Sequence, residues 1–103
     1  MITQFDPNEI LKYGDCRKYV SELLGWTPTT ENESCSTFLI DGVDYEISKT
    51  RFIATNHQTG ANVDSGNLVD LAARTRHAGN ANEAQQDLGE WLWLAPITPD
   101  KPL

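Results

Sequence analysis

The dipeptide Asp41-Gly42 lies between two short segments that read as strands. Apolar and polar residues alternate after it, and the segment before it, residues 36–40, is rich in apolar residues. A period of two is typical of a strand with one buried face, and Asp-Gly is favoured in two-residue hairpin turns. The predicted inward residues are Val43, Tyr45 and Ile47, and the predicted outward residues are Asp44, Glu46 and Ser48. The chain is therefore limited to folds that contain an antiparallel hairpin.

A third strand is predicted directly after this hairpin. Lys49-Thr50 is suited to a second turn, and residues 51–56 follow with Phe52 and Ala54 facing inward. Residues 56–66 are polar and marked by glycine, which indicates a loop. A three-stranded antiparallel meander is expected.

Helices are predicted on both sides of the meander. Asp6 followed by Pro7 is typical of a helix start, and a second helix should run from Cys16 to Leu24 and end at Gly25. After the sheet, one helix should run from about Asn67 to Arg76, capped by Ser65 or Asn67, and a last helix should begin at Asn80. The predicted fold is α+β, with N-terminal helices, a small three-stranded meander and two C-terminal helices.

The length of 103 residues suits a single domain, predicted here over residues 1–95. Three prolines in residues 96–103 predict an extended C-terminal tail. The N-terminus lacks a signal-peptide pattern, and no run approaches the roughly 20 apolar residues that span a bilayer. We therefore expect a cytoplasmic protein with no membrane contact, in which Cys16 and Cys35 stay reduced.

The net charge of −7 opposes non-specific attraction to nucleic acid. The charge is uneven, because residues 47–80 carry four basic and two acidic side chains. A local basic surface is therefore compatible with the sequence. Its candidate phosphate contacts are Arg51, Arg74 and Arg76, with Phe52 as a stacking residue for single-stranded DNA.

Each of these residues also has a structural interpretation. Arg74 and Arg76 lie at the negative end of a helix dipole, which they would complement. Phe52 belongs with Phe38 and Tyr45 to a set that more often forms the core face of a small sheet, and we favour the core interpretation.

No metal site, cofactor site or catalytic site is predicted. A structural zinc site needs four ligands, usually with one closely spaced pair, and the cysteines and histidines of this chain are all far apart in sequence. Cys35, His57 and Asp64 have the residue types of a nucleophilic triad, but no local signature supports one. We expect a protein without enzymatic activity.

A surface for a protein partner is predicted near the C-terminus. Trp93 cannot share the inward face of a helix with Trp91, because residues two apart diverge by about 200°. An exposed Trp93 with Leu94 and Ile97 would suit a protein partner or a homodimer contact.

The segment Gly66-Asn67-Leu68-Val69-Asp70-Leu71, placed after hairpin strands and before a helix that contains Glu83-Ala84, resembles a known module. Over roughly residues 16–92 the chain is similar to the zinc-binding domain of bacterial and phage-type DNA primases, and more to its metal-free relatives in proteins of plasmids and other mobile elements. The paired metal ligands of that family have no counterparts here. The resemblance therefore implies a degenerate, metal-free module with an accessory role.

Three functional hypotheses follow. The first is a non-catalytic accessory protein of a phage or mobile element that binds a protein or single-stranded DNA in DNA replication or processing. The second is an acidic inhibitor, of the anti-restriction or anti-CRISPR kind, that covers a nucleic-acid-binding surface of a host protein. Its candidate residues are Glu31, Glu33, Asp41, Asp44 and Glu46. The third is a homodimeric interaction domain.

Overall fold

A single antiparallel sheet of five strands forms the centre of the protein. The computed structural model describes residues 5–95, and the strands follow one another in the sheet in chain order. They are β1 (Thr30–Glu31), β2 (Cys35–Ile40), β3 (Val43–Ser48), β4 (Phe52–Asn56) and β5 (Asn62–Gly66). Each strand therefore pairs with its neighbours in sequence.

The hairpin predicted from Asp41-Gly42 is confirmed. Ile40 pairs with Val43 across the turn, and the two turn residues have φ angles of 51° and 77°. Positive φ at both central positions is the geometry whose twist matches that of the flanking strands. Tyr45 and Ile47 are buried and Glu46 between them is exposed, as the alternation predicted.

The predicted three-stranded meander is wrong, because the sheet has two further strands. β1 has only two residues, paired as Thr30 with Thr37 and Glu31 with Ser36. β5 lies inside the segment that was predicted to be a loop, and it pairs with β4 from Phe52 to Thr55. Its sequence, Asn-Val-Asp-Ser-Gly, contains a single residue of high strand propensity. Pairing with β4 stabilises this strand although its residues have low strand propensity, because strand preference depends strongly on context.

Four helices accompany the sheet, and they occur in the predicted order. They are α1 (Pro7–Tyr13), α2 (Cys16–Tyr19), which continues as a π-helical segment (Val20–Leu24), α3 (Leu68–Arg76) and α4 (Ala81–Trp91). The side chain of Asp6 caps α1, and Asn67 and Asp70 form a reciprocal capping box on α3. A Cβ atom on Gly66 would overlap the Asp70 side chain, so glycine lets β5 lead directly into this cap.

The hydrophobic core lies between the helices and one face of the sheet. Phe38, Tyr45 and Phe52 project from three neighbouring strands into this core. The indole of Trp26 closes one side, with its ring centre 4.9 Å from that of Tyr45 and 5.8 Å from that of Phe38. The helices contribute the following buried side chains: Ile10, Cys16, Tyr19, Val20, Leu68, Leu71 and Leu88.

None of the helices within residues 5–95 combines the length and the apolar character needed to cross a membrane. The predicted tail, residues 96–103, lies outside the described residues.

Substitutions at Phe52 and Ile53 test which face of β4 is buried. Phe52 is fully buried and Ile53 is 43% exposed, although the two are adjacent in the strand. We expect Phe52→Ala to lower the free energy of unfolding by about 3–5 kcal/mol. Ile53→Ala should lower it by less than about 1 kcal/mol, since most surface substitutions have small effects. Urea denaturation of both variants measures the difference, and equal losses would contradict the assignment of faces.

Candidate protein-interaction face

The face of the sheet that points away from the helices is the candidate site, and we call it the open face. Its residues are fixed by the register of the strands. Thr37 pairs with Glu46, Glu46 with Ile53, and Ile53 with Ser65, which gives one row across four strands. A second row contains Leu39, Asp44 and Thr55. On β2, β3 and β4 each of these residues alternates with a core residue of its own strand.

Three apolar side chains project into solvent on or beside the open face. Leu39 and Ile53 are each 43% exposed, and Val63 is 45% exposed at the irregularity in the pairing of β4 with β5. An exposed apolar residue is common when it is isolated. Here Ile53 and Val63 come from the adjacent strands β4 and β5, whereas Leu39 on β2 is separated from them by Asp44 and Glu46 of β3. Exposed apolar side chains interspersed with polar ones on one face are found at interaction sites.

The charge of the open face is negative. None of the strand residues in the described part of the chain is lysine or arginine. Asp44 and Glu46 both point outward from β3, and Glu46 is directly beside Ile53. The open face therefore combines apolar side chains with carboxylates and hydroxyl groups.

His57 contributes the nearest imidazole to this face. Its Nδ1 atom lies 2.8 Å from the Oδ2 atom of Asp44, and its backbone N–H donates to the carbonyl of Gly42. The imidazole is more than half exposed. His57 thus belongs to the end of the sheet that holds the β2–β3 turn.

The candidate nucleic-acid contacts do not form one surface. Phe52 is fully buried in the core, so the predicted stacking role is wrong: no part of its ring is available to a base. The Nε of Arg74 donates to the hydroxyl of Tyr45 at 3.0 Å, and its Nη1 lies 3.4 Å from Asp64. The hydrogen bond to Tyr45 and then the Asp64 carboxylate raise the pKa of Arg74.

The other two arginines differ in their surroundings. Arg76 pairs with Asp87 of α4 at 3.2 Å, and the same carboxylate oxygen lies 3.1 Å from the Nε2 atom of His77. Arg51 is exposed in the β3–β4 turn. Two of the three predicted phosphate contacts are therefore held by acidic side chains of the protein itself.

The five acidic candidates divide into two groups. Asp44 and Glu46 lie on the open face, as described above. Glu31 lies on β1 with its carboxylate 3.7 Å from Arg17, and Glu33 and Asp41 are exposed in the turns that precede and follow β2. The structure therefore brings two of the five together on one face.

The C-terminal candidates are only partly described. Trp93 is 93% exposed and has a φ angle of 59°, which is rare for a bulky residue. Leu94 is half-buried and packs against the core. Ile97 lies outside the described residues.

The cysteines and histidines are not arranged as a catalytic or metal centre in the described part of the chain. Cys35 pairs with Ser48 at one end of β2, whereas His57 lies at the opposite end of the sheet, beside the turn that follows β2. Within residues 5–95 no group of three or more His, Cys, Asp or Glu side chains could hold a metal ion.

Comparisons with protein-family models, with curated proteins and with solved structures find no match for this chain. The relationship to primase-type modules stays a prediction.

Sequence reasoning missed the apolar part of the open face. Leu39, Ile53 and Val63 were not among the predicted site residues. The sequence did indicate that Ile53 faces outward, because it lies between Phe52 and Ala54, which were predicted to face inward. Val63 carried no comparable signal, since its strand was not predicted.

The two thiols should differ in reactivity. Burial and then the Asp15 carboxylate raise the pKa of the Cys16 thiol to about 12, so only about one molecule in ten thousand carries the thiolate at pH 8. We expect the Cys35→Ser variant to show no rapid reaction with a thiol reagent until it is unfolded. The Cys16→Ser variant should retain one thiol, on the half-buried Cys35, that reacts in the folded protein. Rapid native labelling of Cys16 would contradict its placement in the core.

Proposed function

We propose that this protein is a non-catalytic binding protein whose open face contacts a basic, partly apolar surface of a nucleic-acid-handling protein in the cytoplasm. The observation that carries the proposal is the pairing of Glu46 with Ile53 on a face whose strands hold no lysine or arginine. Surfaces that bind nucleic acid are rich in lysine and arginine, so they complement such a face.

The apolar residues favour a protein over a small ion as the ligand. Burial of Leu39 and Ile53 would supply the non-directional part of the binding free energy, at roughly 25 cal/mol per Å² of apolar surface. The carboxylates of Asp44 and Glu46 would accelerate association and select a partner of positive charge. The same charge opposes self-association of two open faces, because it would bring like charges together.

The accessory and inhibitor hypotheses share this interaction. In both, the protein binds a partner that handles DNA, and they differ in whether the partner can still bind DNA in the complex. An inhibitor displaces DNA from its partner, whereas an accessory protein leaves the DNA contact intact. The mobile-element setting remains a prediction from the primase resemblance.

The test uses purified basic DNA-binding proteins, including a primase, a replicative helicase and a restriction nuclease, in equilibrium binding measurements. At least one should bind the wild-type protein, with an affinity that falls as salt is raised. Glu46→Arg should weaken that binding at least tenfold, because it places a positive charge at the centre of the open face. Ile53→Ser should weaken it by a similar factor through lost apolar burial.

Matched controls separate the open face from general charge and hydrophobicity. Glu90→Arg makes the same charge change at an exposed position of α4, and Leu11→Ser removes an apolar side chain that is 37% exposed on α1. Both should bind within about twofold of wild type, since neither position is on the sheet. Equal losses for Glu46→Arg and Glu90→Arg, or no binding to any basic partner, would refute the proposal.

A DNA competition measurement then assigns the role. If increasing amounts of the wild-type protein release labelled DNA from the partner, the protein is an inhibitor. If a ternary complex forms, it is an accessory protein.

A further inference from the structure

Three cavities of the described structure differ in the charge of their walls. The first, of about 470 Å³ between β5, α3 and the start of α4, contains Asp64, Asp70 and Arg74. The second, of about 250 Å³, contains three carboxylates of α4 and His77. The third, of about 190 Å³, lies between α2 and the β1–β2 hairpin and contains two cations and one carboxylate. We call the third cavity the hairpin pocket.

The hairpin pocket has an aromatic and apolar wall. Trp26, Pro28 and Phe38 line it. The Trp26 ring packs against Phe38 and Tyr45 of the core and is half-buried, so its position is fixed by the fold. A flat aromatic wall of this kind stacks readily with a planar ring.

The polar wall of the pocket is held in place by Arg17. Its Nε donates to the hydroxyl oxygen of Ser36 at 3.1 Å, and its two Nη atoms donate to the carbonyl oxygens of Glu33 and Asn32, each at 2.9 Å. Ser36 is only 4% exposed, and its hydroxyl accepts this bond without donating one to another group in the described part of the chain. A buried hydroxyl with an unused proton favours an acceptor inside the pocket.

Lys18, rather than Arg17, is the cation of this pocket that can pair with a ligand. The guanidinium of Arg17 is committed to the hairpin carbonyls and lies 3.7 Å from Glu31. Lys18 lines the same pocket, and no carboxylate within residues 5–95 pairs with its ammonium. In a protein of net charge −7, the pocket thus joins a lysine that has no carboxylate partner to an aromatic wall.

We propose that the hairpin pocket binds an anion that carries a planar aromatic ring, of the class of a nucleoside monophosphate. The ring would lie against Trp26, the anionic group would meet the Lys18 ammonium, and the Ser36 hydroxyl would donate to a ring or ester oxygen or nitrogen. A volume of about 190 Å³ is below the roughly 300–1,000 Å³ of sites for drug-sized ligands, so the pocket would hold the aromatic base alone and leave the sugar and the phosphate at the rim, where the exposed Lys18 lies. The site is independent of the open face and goes beyond the proposed function.

The test is a titration of the isotope-labelled protein with adenosine 5′-monophosphate, followed by nuclear magnetic resonance. The amide signals of Lys18, Ser21 and Ser36 and the indole signal of Trp26 should shift together with one dissociation constant. Adenosine and inorganic phosphate, titrated separately, should each bind at least tenfold more weakly, because each lacks half of the recognised chemistry. Phenyl phosphate should bind more tightly than phosphate alone, since it keeps both the ring and the anion.

Three substitutions make the outcome sensitive to charge without disturbing the core. Lys18→Gln should weaken binding of adenosine 5′-monophosphate about three- to fivefold, the range expected for one exposed charge pair. Glu31→Gln should strengthen it, because that carboxylate repels the anion at the rim. Lys12→Gln is the control, because it removes the same charge from α1. It should change the affinity by less than about twofold, since it alters only the net charge of the protein.

Several results would overturn the proposal. They are the absence of shifts in the hairpin pocket at 20 mM adenosine 5′-monophosphate, equal affinities for adenosine and its monophosphate, and equal effects of Lys18→Gln and Lys12→Gln. None of these results bears on partner binding by Glu46 and Ile53, so the two proposals fail separately.

Discussion

Burial of one face of the sheet, centred on Tyr45 and Phe52, is the interaction on which the rest of the structure depends. These two rings project from neighbouring strands, with their centres 6.4 Å apart, and Trp26 and the helices pack over them. Because residues alternate along a strand, every side chain buried here fixes the outward direction of its neighbour. The open face, with Glu46 and Ile53, is therefore a direct consequence of the core.

The alternation around Asp41-Gly42, the helix caps at Asp6 and Asn67, and the order of the helices could be predicted because each depends on residues close together in sequence. The extra strands could not. β5 exists because it pairs with β4, and its own composition is that of a loop. The acidic partners of Arg74 and Arg76 could not be predicted either, because Asp64 and Asp87 come close to these arginines only through the packing of β5 and α4.

The distribution of charge connects the fold to the proposed function. Arg74 and Arg76 serve the structure by holding β5 and α4 to α3, and the exposed Lys49 and Arg51 lie in the β3–β4 turn rather than on a strand. The strands, which lack lysine and arginine altogether, present carboxylates instead. An acidic chain that folds in this way is suited to the basic protein surface proposed as its partner, and the hairpin pocket is a separate proposed site with its own ligand chemistry.

The exposure and the negative charge of the open face can be measured directly on its methyl groups. Soluble cationic and anionic nitroxides would be added to the methyl-labelled protein, and proton relaxation recorded for each methyl group. Strong relaxation is expected for Leu39, Ile53 and Val63, greater with the cationic nitroxide, and little relaxation is expected for the buried Ile47 and Leu71 with either reagent. Protection of the Ile53 methyl groups, or stronger relaxation by the anionic nitroxide, would contradict the description of this face.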